Sequence, residues 1–236
     1  MAIVDKRAID SVIADICIQI IQEPLLYFSE ADVQQMLVKT LDEVDALRVL
    51  VKTSVQRGQG SKGVYHTKLV HREYGGGEGR RVDVVIFDPA DAAKINSTNL
   101  MIGRTYLTPL YAFEIGTEKT ADAATHLKND LEKLKGVKAT GYIIHFFKDT
   151  TLAPTGTASR LRTEHKIQQS FKGAFHSFKD SFTAHIRVLA ILVRTGRRQM
   201  GMRGKCEIFD QQREAWTKVN VKRPDQIKSA ILKQLE

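Results

Sequence analysis

Apolar residues recur at helical spacing over residues 5–22 (Ile9, Val12, Ile13, Ile16, Ile20) and predict an amphipathic helix that Pro24 ends. Ser29 then reads as an N-cap, with Asp32 three residues on as a short capping box, and Val33, Leu37, Leu41 and Val44 form the stripe of a second helix. Period two takes over after that. Residues 47–55 and 64–74 predict a hairpin across a glycine-rich polar turn, residues 80–88 a third strand, and residues 110–115 a fourth beyond an aperiodic insertion over 88–108. Leu127, Leu131 and Leu134 predict a helix over 120–135, capped by Thr120 and stopped by Gly136. Residues 139–147 return as a buried strand, so strand, helix and strand make a parallel crossover. Further on, a Pro/Gly/Thr connection leads to a basic helix over 158–182, a strand over 187–194 and a second hairpin from 205–209 and 214–221. The expected organisation is an α/β core with its N-terminal helix over 1–150, and a basic helix-and-strand extension over 151–236 packed on the same domain.

Two of these strands carry a carboxylate where burial argues against one. Arg80-Arg81-Val82-Asp83-Val84-Val85-Ile86-Phe87-Asp88 holds Asp83, and Pro109-Leu110-Tyr111-Ala112-Phe113-Glu114-Ile115-Gly116 holds Glu114. An unpaired charge is costly to desolvate, so the two acids call for a partner such as a divalent metal ion. Alternation along the second strand puts Ala112, Glu114 and Gly116 on one face, which leaves room beside Glu114. Glu30 lies in line with the Val33–Leu37 stripe at the positive end of its helix, where an inward ligand and an ordinary first-turn acid read equally well.

Composition narrows the function classes. With 236 residues and 42% hydrophobic content the chain buries a sizeable core, which excludes disorder and fibres. The net charge is +9, and residues 151–236 carry all of the excess, with 17 Lys/Arg against 7 Asp/Glu. Such asymmetry points to a polyanion, since neutralised phosphates release condensed counterions. Arg194, Arg197, Arg198, Arg203 and Lys205 concentrate between two strands, where a loop approaches a phosphate backbone. Phe171, Phe175, Phe178 and Phe182, recurring every three or four positions, read as a core-facing stripe and not as a base-stacking platform. Cys17 and Cys206 stand alone, which argues against zinc fingers and dithiol redox chemistry and for buried free thiols. No apolar run approaches the roughly 18 residues of a membrane span, and the N-terminus lacks signal-peptide order, so an intracellular, cytoplasmic protein without membrane contact is expected.

The order of these features resembles the PD-(D/E)XK nuclease superfamily over residues 28–148. The resemblance rests on Glu30 on a helix, Asp83 in Arg-Val-Asp-Val-Val-Ile, Glu114 in Ala-Phe-Glu-Ile-Gly, and the helix from His126 to Leu134. It implies a restriction-endonuclease-like α/β fold, a central mixed sheet flanked by helices in helix, three strands, helix, strand order. It also implies a nuclease hydrolysing DNA phosphodiester bonds, expected to be an endonuclease, with RNA left open. In such a site Asp83 and Glu114 ligate Mg²⁺ or Mn²⁺, Ile115 adds its backbone carbonyl, and Glu30 adds a carboxylate directly or through water. The family's lysine two positions after the glutamate is here Gly116. A lysine from the following helix takes its place in this reading, Lys119 first and Lys128 second. Gly116 also leaves an alternative open: a catalytically inactive nuclease-fold protein that binds nucleic acid or serves as an assembly subunit. In a third reading, outside the resemblance, the acids are paired structural groups. A homodimer is left open, since double-strand cutting uses two sites related by symmetry.

Overall fold

Each of the first two helices begins at the cap its sequence supplies. In α1 (Lys6–Gln22) the Asp5 carboxylate accepts from the Arg7 amide. In α2 (Glu30–Leu41) both halves of the Ser29–Asp32 capping box are present. This geometry comes from a computed structural model, which describes residues 4–24, 27, 29–57, 61–75, 81–93, 107–118, 123–149, 158–182, 185–194 and 206–236.

The strands that follow divide differently from the periodic pattern. β1 (Val51–Arg57) and β2 (Ser61–Thr67) form an antiparallel hairpin that is a two-stranded sheet of its own. The chain then enters the main sheet as β3 (Val70–Gly75), so the single strand expected over 64–74 is two strands in two sheets. Leu69 causes the break. It is fully buried, and its carbonyl accepts from the Phe87 amide at 3.0 Å, which pins the chain between the two sheets.

β4 (Arg81–Ile86) is followed by a one-turn helix, α3 (Pro89–Ala92), capped by Asp88 within the expected insertion, while residues 94–106 lie outside the described residues. Next come β5 (Tyr111–Glu118), α4 (Ala123–Val137) and β6 (Thr140–Asp149). Thr120 lies outside the described residues. Gly136 does not stop α4. Val137 is buried and keeps the helix in register with the core, so the left-handed residue falls on Lys138, with φ 54°.

The last third contains α5 (Ala158–Phe178), a 3-10 turn (Lys179–Ser181), β7 (Ile186–Arg194), β8 (Cys206–Asp210), β9 (Ala215–Val219) and α6 (Pro224–Leu235). The C-terminal helix has no counterpart among the elements expected from sequence. Ile227, Ile231 and Leu235 are fully buried along one face of it, and Lys228 pairs with Asp15 of α1 at 2.8 Å.

The main sheet has the order β3-β4-β5-β6-β7-β8-β9, with β5, β6 and β7 parallel and the outer strands antiparallel. β7 to β9 continue the sheet begun by β3 to β6. On one face Ile13, Ile16 and Cys17 of α1 and Val33 and Leu37 of α2 meet Ile115, Ile144 and Phe146. On the other face, Phe171 of α5 is fully buried among Phe147, Phe209 and Trp216 at ring-centroid distances of 5.5, 5.0 and 5.7 Å. Each such edge-to-face pair adds about 0.5–1.5 kcal/mol beyond the burial itself. The expected core-facing role of the phenylalanine stripe holds, with Phe171 and Phe175 buried and Phe178 and Phe182 partly buried against the core, and both cysteines are buried free thiols. Among the described residues no helix is long and apolar enough to cross a membrane.

Candidate active site

The site forms where β4 separates from its neighbours. In the β4–β5 ladder Val84 faces Phe113, and continuing that register by one residue sets Asp83 opposite Glu114. The ladder stops at that point. Instead, the Ile115 amide donates to Asp83 Oδ2 at 2.7 Å, so the side chain supplies the acceptor that a strand carbonyl would otherwise provide. On the other side of β4, Glu73 is the β3 residue that falls opposite Asp83; it takes φ 51° and drops out of that ladder. Asp83 is thereby held at a break in the sheet on both sides.

Glu114, 1% exposed, faces α4. The Lys133 ammonium donates to Glu114 Oε2 at 2.7 Å, while Oε1 is buried without a hydrogen-bond partner among the described residues. The same ammonium lies 3.5 Å from Oδ1 of Asp130, one helical turn earlier. Asp130 Oδ2 in turn meets Nε2 of His145 at 2.8 Å. His145 is fully buried on β6 and stands edge-on to Phe147 and Phe171. Since a carboxylate only accepts, Nε2 carries the proton of this bond. The Leu127–Leu131–Leu134 stripe that docks α4 on the sheet carries Asp130 inward, three residues after Leu127 and four before Leu134.

Two carboxylates thus contact one lysine, with Asp83 and Glu30 within reach of its charge, and the proton affinities respond. Burial raises Asp83 to about 7, opposed by the Ile115 amide and supported by the charge of Glu30. Burial also raises Glu114, with the charge of Asp83 second and Lys133 pulling the other way. Burial and the charge of Asp130 raise Glu30. Asp130 runs opposite: burial would raise it, but the hydrogen bond and charge of His145, with Lys133, hold it below the usual carboxylate range. Lys133 is depressed by burial, and the charge of Glu114 outweighs that to hold it firmly protonated. Burial is the first cause in both raised carboxyls, Asp83 and Glu114, and Lys133 opposes it, so a cation bound between them would favour their ionised forms further.

The fit to a cation follows from these observations. Among the described residues no group of three or more His, Cys, Asp or Glu side chains is set to hold a metal. Mg²⁺, however, binds through one or two carboxylates and completes its shell with waters and substrate phosphate. Asp83 and Glu114, with Glu114 Oε1 buried and unpartnered, match that requirement.

The positions of the residues expected from sequence differ in kind. Asp83 and Glu114 come together. Glu30 is exposed at the start of α2, where its Oε1 accepts from Gln34 at 3.3 Å, yet its charge reaches Asp83. Ile115 enters the described contacts through its amide. Gly116 is buried and falls beside His145 in the β5–β6 register. Lys119 lies outside the described residues. Lys128 projects from the exposed face of α4 and lies 4.0 Å from Glu132, because its place on the helix turns away from the leucine stripe; it is not brought to Glu114. Arg194 ends β7, whereas Arg197, Arg198, Arg203 and Lys205 lie outside the described residues. Sequence reasoning missed Asp130, Lys133 and His145. His145 carried the signal that exposed Asp83 and Glu114, an ionisable group inside the apolar run Ile143-Ile144-His145-Phe146-Phe147. A separate cleft of about 830 Å³ between α5 and the β8–β9 hairpin shares no residue with this cluster.

The α2, β3–β4–β5, α4, β6 succession places two acids on adjacent strands and a lysine on the next helix. That is the helix, three strands, helix, strand order expected from the sequence resemblance, in an α/β fold with a seven-stranded mixed sheet flanked by helices. Among solved structures, the chain is similar to NucC of P. aeruginosa ATCC27853 in its cAAA-bound form, at 12% identity over 99% of this chain and 92% of that one, with a TM-score of 0.38. No protein-family model and no curated protein matches the chain.

Proposed function

We propose that the protein is a divalent-metal-dependent nuclease that hydrolyses DNA phosphodiester bonds, acting as an endonuclease. Asp83 and Glu114 hold Mg²⁺ or Mn²⁺, and Lys133 stands in for the lysine absent at position 116. The observation that carries this reading is the Lys133 ammonium 2.7 Å from a Glu114 carboxylate whose other oxygen is buried and unpartnered. Held by Asp83 and Glu114, such an ion would supply Lewis-acid chemistry at the phosphate and would make a water more acidic.

The chain's own groups do the rest. The Ile115 amide fixes Oδ2 of Asp83 and so orients its carboxylate. Lys133, protonated and one-quarter exposed, offers a positive charge where negative charge develops on the phosphate oxygens. Glu30 adds a carboxylate through water. The basic excess of residues 151–236, which includes Arg194, Arg197, Arg198, Arg203 and Lys205, supports contact with the phosphate backbone and salt-dependent binding. The ammonium beside Glu114 supports the catalytic reading over the inactive binder that Gly116 leaves open.

The test is incubation of linear, circular and single-stranded DNA with wild type and Asp83→Ala in Mg²⁺ or Mn²⁺. Nicking or linearisation of circles by wild type alone supports the reading. Equal inertness on every substrate, or equal activity of the two proteins, refutes it.

A further inference from the structure

Lys133 is bracketed by two carboxylates of unequal freedom. Its ammonium lies 2.7 Å from Glu114 Oε2 and 3.5 Å from Asp130 Oδ1. Asp130 is fixed. Its second oxygen is tied to His145 at 2.8 Å, and His145 has no exposed surface and is wedged against Phe147 and Phe171. Rotating Oδ1 away from Lys133 would break a buried charge-assisted bond.

A cation taken up through Asp83 and the unpartnered Oε1 of Glu114 repels the ammonium on Oε2, because two positive charges then crowd one buried carboxylate. Lys133 has 24% of its side chain exposed, so without another anchor it would leave toward solvent. We propose that Asp130, clamped by His145, is a positioning residue: it retains the Lys133 ammonium in the site once Glu114 is committed to the cation. The same contact weakens the hold of Lys133 on Glu114 beforehand, so Asp130 also favours uptake of the cation. This rests on the metal-site reading above. It adds a role for two residues outside the catalytic set, one on α4 and one on β6.

The test is a double-mutant cycle read by Mn²⁺ affinity in DNA-free protein, measured calorimetrically for wild type, Asp130→Asn, Lys133→Met and the double variant. Lys133→Met alone tightens Mn²⁺ binding, since the competitor is gone. Asp130→Asn weakens it about 10-fold when Lys133 is present, because the ammonium then has Glu114 as its only anchor, and at most about 2-fold in the Lys133→Met background. An equal effect in both backgrounds means that only a general negative charge was lost, and it overturns the proposal; so does no effect in either. If Asp130→Asn does not fold, His145→Leu in the same two backgrounds keeps both charges and removes the clamp. It is expected to weaken Mn²⁺ binding about 3-fold only with Lys133 present, and equal effects again overturn the proposal. Failure of the metal reading is distinguishable. Wild type would then bind no Mn²⁺, or bind it as tightly after Asp83→Ala, whereas binding that depends on Asp83 but lacks coupling refutes the role of Asp130 alone.

Discussion

Asp83→Asn should stabilise the metal-free protein at alkaline pH while abolishing its chemistry. Asp83 is 6% exposed, and its carboxyl is raised from 3.8 to about 7, first by burial and then by the charge of Glu30, against the Ile115 amide and Lys133. A carboxyl raised on folding favours the folded state while it is protonated and loses that contribution as pH climbs through its folded value. The loss begins near the unfolded value of 3.8, is complete above about 7, and amounts to about 4 kcal/mol at 1.36 kcal/mol per unit. Roughly 3 kcal/mol of it falls between pH 5 and pH 8. Asparagine has no such charge and still offers an oxygen to the Ile115 amide. Urea unfolding in EDTA should therefore show Asp83→Asn gaining about 3 kcal/mol on wild type between pH 5 and pH 8. A difference that stays flat across that range would refute burial as the source of the shift.

Two further outcomes follow from α4. Lys133→Met should lower kcat for DNA cleavage by about 10²-fold or more, as loss of a positioned charge-stabilising donor does, while Lys128→Ala stays near wild type; cleavage kinetics in Mn²⁺ distinguish the two lysines. Lys138→Gly should raise stability by about 0.5–1 kcal/mol and Tm by a few degrees, because glycine takes the left-handed φ of 54° without strain, and calorimetry reads the change directly.

The parts of the fold set by local rules were legible in the sequence. The Ser29 capping box, the α1 and α4 stripes, the Asp83 and Glu114 strands and the β8–β9 hairpin each follow from spacing within one segment. What depended on distant contacts was not. The division of 64–74 between two sheets depends on Leu69 meeting Phe87; α6, by contrast, does carry local signals, a Pro224 start and the buried Ile227–Ile231–Leu235 stripe, and the expected elements stopped short of it. The lysine followed the same logic. Lys119 and Lys128 were closer to Glu114 in sequence, but helical geometry turns Lys128 outward and brings Lys133, 19 residues from Glu114, within 2.7 Å of it. His145 was visible as a charge-capable residue in an apolar strand, yet its partner Asp130 sits on another element and no local pattern joins them.

The central claim is that Asp83 and Glu114 hold a catalytic cation with Lys133 beside it. Anomalous diffraction from crystals soaked in Mn²⁺ tests it most directly. The account predicts a manganese peak about 2.0–2.2 Å from one oxygen each of Asp83 and Glu114, with the Lys133 ammonium displaced from Glu114 toward Asp130. An empty site, with Lys133 still on Glu114 at saturating Mn²⁺, would contradict it.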